Sequence, residues 1–368
     1  MFTVNKLIGK GKFSLVFDIE RQDSESNARF AFKRTYLYMP DAIQCALREC
    51  RVFKRLKDTN VDSEFFPKLY DSFLMHGSPV LVMHLLSDKT LFDLVYGGNN
   101  LSEDLARFYT AEIVCALEKL HEIKIVHLDV KPNNILLRES GHIVLGDFDR
   151  SHDLTSEIRA CFGGTYQYMA PEVFKKVQMS TKADVWSLGL VVCTLVRGIS
   201  RPGHEKESTL LQMAFDGGYT IERFEELSGP LQGFLKSCLQ VDFNSRPEIK
   251  ELKYCDFFKD INWDDVGACR LLPPILPTDI SGPNSNRSSC SDPQVLSLAY
   301  TEHMPRRDCG AIKYEINKEG LKCVALEKVN WERFDKAGYS GEKVKELFCE
   351  YGMLERKLKW NKANRSEK

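Results

Sequence analysis

His127-Leu128-Asp129-Val130-Lys131-Pro132-Asn133-Asn134 runs into the apolar strand-like stretch Ile135–Leu137, and ten residues past Leu137 comes Asp147-Phe148-Asp149. Read as chemistry, this stretch carries what a phosphoryl transfer needs. The reaction requires a carboxylate near the attacking hydroxyl, a cation near the transferred phosphate and oxygen ligands for Mg2+. Asp129, Lys131, Asn134 and Asp147 supply that set in order, at a spacing that chance rarely assembles.

Upstream, Gly9-Lys10-Gly11-Lys12-Phe13-Ser14-Leu15-Val16 lies between two strand-like runs. Glycines at 9 and 11 let backbone amides approach phosphate oxygens. Alone the segment also reads as a flexible hairpin. Ala31-Phe32-Lys33 closes a later strand, and Glu49, on the helix expected over about 42–57, offers Lys33 a carboxylate partner. Singly, either charge reads as a solvated surface group. Downstream stand Gly164-Thr165 through Ala170-Pro171-Glu172, then Asp184-Val185-Trp186-Ser187-Leu188-Gly189, then Arg246.

The rest of the pattern gives the architecture. Leu7–Ile8, Leu15–Phe17 and Phe30–Phe32 are short apolar runs with polar or glycine breaks, which predict strands. Leu105, Tyr109, Ile113, Ala116, Leu117 and Leu120 keep helical spacing, with Glu103 and Asp104 in a favourable first turn. Residues 183–196 are apolar nearly all round and predict a buried helix. Strand-rich then helix-rich segments make an α+β protein of two lobes. After residue 272 prolines and a Ser/Asn/Asp/Gly-rich stretch predict a partly disordered linker over about 277–298. A helix with a basic finish is expected over about 342–360.

Composition narrows the class. The chain has 368 residues, 43% hydrophobic, with a formal net charge of -1, so no global field selects nucleic acid or membrane. No long apolar run predicts a membrane span or a secretory leader. The 12 cysteines contain no Cys-x-x-Cys pair. They read as thiols of a reducing compartment, cytosol or nucleus, and not as a disulfide framework or zinc site.

Taken as an ordered series, the motifs resemble the protein kinase family, over residues 3–258. The resemblance implies a bilobal kinase fold: a β-rich N-lobe with one helix (about 1–82), an α-rich C-lobe (about 83–258) and ATP bound between them. It implies that Ile8, Gly9, Gly11, Val16, Ala31, Met83, Leu85 and Leu136 surround the nucleotide. Lys33, paired with Glu49, holds its α- and β-phosphates. Asp129 is the catalytic base or hydroxyl-orienting group, Lys131 steadies the γ-phosphate, and Asn134 and Asp147 bind Mg2+. Lys131 two residues after Asp129, with Thr165 in the substrate loop, matches the serine/threonine type acting on protein substrates. Glu172 and Arg246 match a structural ion pair. Phe53, Leu69, His127 and Phe148, anchored at Asp184, match one packed column of the family; Val16, Ala31, Leu91 and Leu136 match a second. The segment from Phe257 to Trp263 and Pro273-Pro274-x-x-Pro277 resemble the start of an AGC-type C-terminal extension, here 259–368. In that group an aromatic pair docks in cis on the N-lobe. Phe348 and Tyr351 have the spacing, and an ordinary amphipathic helix face is the simpler reading.

Three departures matter. Leu128 replaces the arginine that in the family pairs with a phosphorylated activation-loop residue, and Cys161 stands where that residue is expected. An activation that bypasses this phosphosite follows, with Thr155→Ala and Ser156→Ala expected to be harmless. Asp149 replaces a glycine, which removes backbone freedom and brings a charge toward the metal site. Thr90, Asn133, Gln167 and Thr194 are neutral where basic-directed relatives carry acids, so no preference for arginine in the target is expected. A pseudokinase, a nucleotide-binding scaffold or regulator on the same fold, is the alternative that Leu128 and Asp149 raise; retention of Lys33, Asp129, Asn134 and Asp147 weighs against it.

Overall fold

The computed structural model describes residues 2–22, 27–37, 40–61, 63–156, 163–197, 223–280, 291, 296, 298–299, 311–317, 320–327 and 341–353. The chain forms two compact units. The first comprises Met1–Cys50, Lys68–Leu86 and Asn286–Lys368; the second comprises Arg51–Pro67 and Ser87–Ser285. The last strand of the first unit's five-stranded sheet runs to His84, close to the lobe boundary expected near residue 82.

The first unit is built on five antiparallel strands: β1 (Phe2–Lys10), β2 (Ser14–Gln22), β3 (Asn27–Thr35), β4 (Leu69–Met75) and β5 (Ser78–His84). Their order is β1-β2-β3-β5-β4. Alternating Leu7, Phe17, Ile19, Phe30, Phe32, Val80 and Val82 bury one face, as the period of two dictates. Leu296, Leu298 and Ala299 join that core. Leu296 and Leu298 fall within the linker expected over about 277–298 and are buried, and Arg34, itself wholly buried on β3, needs acceptors. Arg34 donates to the carbonyls of Leu298 at 3.2 Å, Ala299 at 3.3 Å and Met75 at 3.4 Å, and Tyr36 Oη donates to Leu298 O at 2.8 Å. Residues 281–290, 292–295 and 297 of that linker lie outside the described residues.

Two further elements of the first unit follow. An antiparallel hairpin, β10 (Ala311–Asn317) with β11 (Gly320–Glu327), was not expected from the sequence. The expected C-terminal helix is described over Gly341–Cys349 and ends in a turn through Met353, while 354–360 lie outside the described residues. The helix turns one apolar face inward, as an amphipathic helix does. Val344, Phe348 and Met353 are buried, and Met353 Sδ lies 3.4 Å from Cys50 Sγ.

Cys50 belongs to α1 (Pro40–Asp58), which is wider than the expected span by a residue or two at each end. Its first turns belong to the first unit and its last, from Arg51, to the second.

The second unit packs α3 (Glu103–Glu122), α5 (Lys182–Val196) and α6 (Gly229–Cys238), with the short helices α2 (Leu91–Val95), α4 (Pro171–Phe174) and α7 (Trp263–Gly267). Ser102 caps α3 through Leu105 N and Ser228 caps α6 through Leu231 N. Residues 183–196 of α5 are all buried, as the unbroken apolar run predicts. Two strand pairs frame the motif segment: β6 (Ile125–Val126) with β9 (His152–Asp153), and β7 (Ile135–Leu137) with β8 (Ile143–Leu145). Arg246 is buried, bidentate to Glu172 at 2.6 and 3.0 Å, bonded to the Lys182 and Gln240 carbonyls and stacked 5.2 Å over Trp186.

Glu112, His142 and Cys269 bring ligand-type atoms within 4.8 Å of one another. The geometry reads as a structural knot: both Glu112 oxygens are engaged, one with His142 Nδ1 at 2.5 Å and one accepting from Ile143 N at 2.9 Å. Burial, with Glu112 beside it, pushes the Cys269 thiol up to about 12, which disfavours a thiolate ligand.

Candidate active site

In the first unit, β1 and β2 are joined through Gly11, whose amide donates to Ser14 O at 2.8 Å. A Cβ on Gly11 would lie 2.7 Å from Ser14 Oγ, so a side chain there would require the serine hydroxyl to turn away. Gly9 pairs with Val16 in the ladder, and Val16 in turn pairs with Lys33. Lys33 points to Glu49 on α1, Nζ to Oε1 2.7 Å, with both side chains buried. Ala31, opposite Met83 in register, and Ile8 are buried, whereas Met83 and Leu85 are partly exposed. All nine residues expected near the nucleotide from this half of the chain thus belong to one unit.

In the second unit, Asp129 collects four hydrogen bonds. Its Oδ1 accepts from Thr165 N at 2.9 Å and Thr165 Oγ1 at 2.8 Å. Its Oδ2 accepts from Lys131 Nζ at 2.6 Å and Asn134 Nδ2 at 2.9 Å. Lys131 also donates to Thr165 Oγ1 at 2.7 Å. Asn134 Nδ2 is further tied to Asp129 O at 2.9 Å. With its nitrogen so used, Asn134 keeps its carbonyl oxygen for another partner. Asp147 is half-buried and left-handed, φ 64°, a conformation aspartate adopts more readily than most residues.

The loop 164–165 reaches Asp129 because Gly164 has no side chain. A Cβ there would stand 2.8 Å from Leu128 O. Buried Asp184 fixes the other end, accepting from His127 N and Leu128 N, both at 2.8 Å, and meeting His121 Nε2 at 2.9 Å. Phe148 stacks on His127 at 5.5 Å, Phe53 at 5.7 Å and Phe66 at 6.2 Å. Three members of the expected column, with their Asp184 anchor, are therefore joined; Leu69 belongs to the other unit, as do Val16 and Ala31 of the second column. Leu136 and Leu91 lie in the second unit, where Leu136 bridges to Thr90.

Two expectations need revision. Asp149 sits in a 3-10 turn, Phe148–Arg150, and is not among the residues with positive φ, so replacing glycine there costs no left-handed strain. Thr155 is not a passive serine/threonine of the loop: its amide and hydroxyl donate to Asp153 Oδ1 at 2.9 and 2.6 Å. Leu128 is buried, and Cys161 lies outside the described residues. Sequence reasoning missed Asp153, Arg51 and Arg55. Asp153 Oδ2 accepts from Arg51 Nε at 2.8 Å and stands 3.5 Å from Arg55 Nε.

The family described as protein kinase domain matches residues 2–258. Serine/threonine-protein kinase AtPK1/AtPK6 of Arabidopsis thaliana is 30% identical over 288 residues, 76% of this chain and 60% of the relative. Serine/threonine-protein kinase SCH9 of Candida albicans is 34% identical over 291 residues, 75% of this chain and 36% of the relative. RAC-beta serine/threonine-protein kinase of Rattus norvegicus is 32% identical over 288 residues, 75% of this chain and 58% of the relative. The chain thus spans only part of the length of these relatives.

Proposed function

The chain belongs to the protein kinase family, and from that premise we propose that it transfers the γ-phosphate of ATP to serine or threonine hydroxyls of protein substrates. The observation that carries this reading is the Asp129 network. One carboxylate is held by Lys131, Asn134 and Thr165, all within 2.9 Å. A scaffold has no need to orient a carboxylate from four directions, which weighs against the pseudokinase alternative.

Each residue then has a role in the transfer. Asp129 accepts or orients the proton of the attacking hydroxyl. Lys131, already 2.7 Å from Thr165 Oγ1, is the cation for the transferred group, and Thr165 fixes both. Lys33, kept in place by Glu49, holds the α- and β-phosphates. Asn134 and Asp147 fit Mg2+, since both are hard oxygen donors and the Asn134 nitrogen is spent on Asp129. When bound, Mg2+ neutralises charge on the phosphate oxygens.

The relatives named above support the serine/threonine type, and neutral Thr90, Asn133, Gln167 and Thr194 support a target without an arginine requirement. The Met353–Cys50 contact supports docking of 341–353 in cis on α1. Buried unpaired cysteines such as Cys115, Cys193 and Cys238 support a reducing compartment, cytosol or nucleus; no described helix is long and apolar enough to cross a membrane. Phosphoamino-acid analysis of an acceptor protein labelled from γ-labelled ATP with Mg2+ tests the reading. Label on serine or threonine is expected, and label confined to tyrosine would refute it.

A further inference from the structure

The segment that follows Asp147 carries a charge cluster that the Asp129 network does not use. Asp153 lies six residues beyond Asp147, on β9, with its side chain only 1% exposed. Four groups face its carboxylate. The Thr155 amide and hydroxyl donate to Oδ1 at 2.9 and 2.6 Å. Arg51 Nε donates to Oδ2 at 2.8 Å, and Arg55 Nε stands 3.5 Å from the same oxygen. Arg55 also donates from Nη2 to Ile123 O at 2.9 Å, just before β6.

These contacts sit at a junction. Strand β9 pairs with β6, whose last residue precedes His127, and Leu154 N donates to Lys124 O at 2.9 Å. Arg51 and Arg55 flank Phe53 on α1, and Phe53 meets Phe148 at 5.7 Å. The last turns of α1 therefore grip the 147–156 segment twice, by a ring contact at Phe148 and by charge at Asp153. Burial would raise the Asp153 carboxyl, but the Thr155 donors and Arg51 outweigh it and hold it below the ordinary carboxylate value. Leu128, buried and apolar, offers no cation to a phosphate, so the charge that organises this segment is supplied in the sequence itself.

We propose that Asp153 is a positioning residue for phosphoryl transfer: by gathering Arg51 and Arg55 it locks the 147–156 segment in its working conformation without activation-loop phosphorylation. This rests on the kinase reading above. It also reassigns Thr155, whose hydroxyl serves as a donor to Asp153 and not as a phosphate acceptor. A phosphate on that oxygen would remove the donor and set two negative groups together.

The test uses the full chain after phosphatase treatment, with dephosphorylated casein as acceptor, and compares wild type with Asp153→Asn and Arg51→Gln. Casein phosphorylation gives kcat and the KM for ATP, and amide exchange is followed over 147–156. Wild type is expected to stay active without phosphate. Both variants should lose kcat on the order of 100-fold, the scale of misplacing reacting groups by roughly one ångström, with KM for ATP within about threefold. Exchange over 147–156 should quicken in both. Should Asp153→Asn fail to fold, Arg51→Gln decides, since Arg51 is partly exposed. A kcat within about twofold of wild type in a folded variant overturns the proposal. So does loss of wild-type activity on phosphatase treatment when phosphate restores it. Wild type inactive before and after phosphatase would instead refute the kinase reading, and the clamp would then stand or fall on whether Arg51→Gln quickens exchange.

Discussion

Thr165 gives Asp129 both its amide and its hydroxyl, at 2.9 and 2.8 Å, on the same carboxylate oxygen. One threonine thus sets the direction of the carboxylate, and its Oγ1 also accepts a hydrogen bond from Lys131 Nζ at 2.7 Å. Removing the hydroxyl while keeping the shape leaves the amide bond alone. Thr165→Val is expected to lower kcat by about 10- to 100-fold, the equivalent of about 1.5–3 kcal/mol for hydrogen bonds to charged groups. Thr165→Ser keeps the hydroxyl and should retain most activity. Steady-state kinetics of both variants checks this, and equal losses would argue against the hydroxyl.

The Lys33–Glu49 pair is buried on both sides, 10% and 5% exposed, so its partners depend on each other. Glu49→Gln leaves the lysine charge without its counter-charge. A loss of about 3 kcal/mol in unfolding free energy is expected, the lower end for breaking a buried pair. Urea denaturation of the full chain measures it, and the KM for ATP should rise in the same variant.

The packed tail predicts a defined energetic role for Phe348, which is fully buried. Phe348→Ala should cost about 3 kcal/mol and quicken amide exchange over 341–353. Unchanged exchange would show that the ring is not what holds the segment.

Asp153 predicts the sign of an acid effect. Its folded carboxyl titrates below the ordinary 3.8. The stability this group contributes is therefore fully present above that value and is lost as pH falls through the folded titration. Urea midpoints measured down through about pH 3 should fall less steeply for Asp153→Asn than for wild type. Parallel curves would contradict the clamp's electrostatic origin.

Much of this was legible in the sequence, and the reason is local. Asp129, Lys131, Asn134 and Asp147 sit close along the chain, and short-range spacing is what a sequence displays directly. The strands around Leu7, Phe17 and Phe32 and the helix at 183–196 were readable because burial imposes a period of two or an unbroken apolar run. What stayed hidden depends on distant pairing. Asp153 lies on a two-residue strand, where no periodicity can appear, and its partner Arg51 is about a hundred residues away. Leu296 and Leu298 sit beside a polar, serine-rich stretch, and what draws them inside is distant in the chain: the apolar face of the sheet, and for Leu298 O the donors of Arg34 and Tyr36. The hairpin β10–β11 left a signal that was overlooked: Ile312, Tyr314 and Ile316 alternate with polar residues, as do Leu321, Cys323 and Ala325 in part.

Phosphoryl transfer by this protein depends on the Asp129 network if the proposed function holds. The most direct test is transfer of the γ-phosphate from ATP with Mg2+ by wild type and by Asp129→Asn, with nucleotide binding measured on both. The account predicts label transfer by wild type, its loss in Asp129→Asn, and the same ATP affinity in each. Equal transfer by both proteins, or none by a folded, nucleotide-binding wild type, would contradict it.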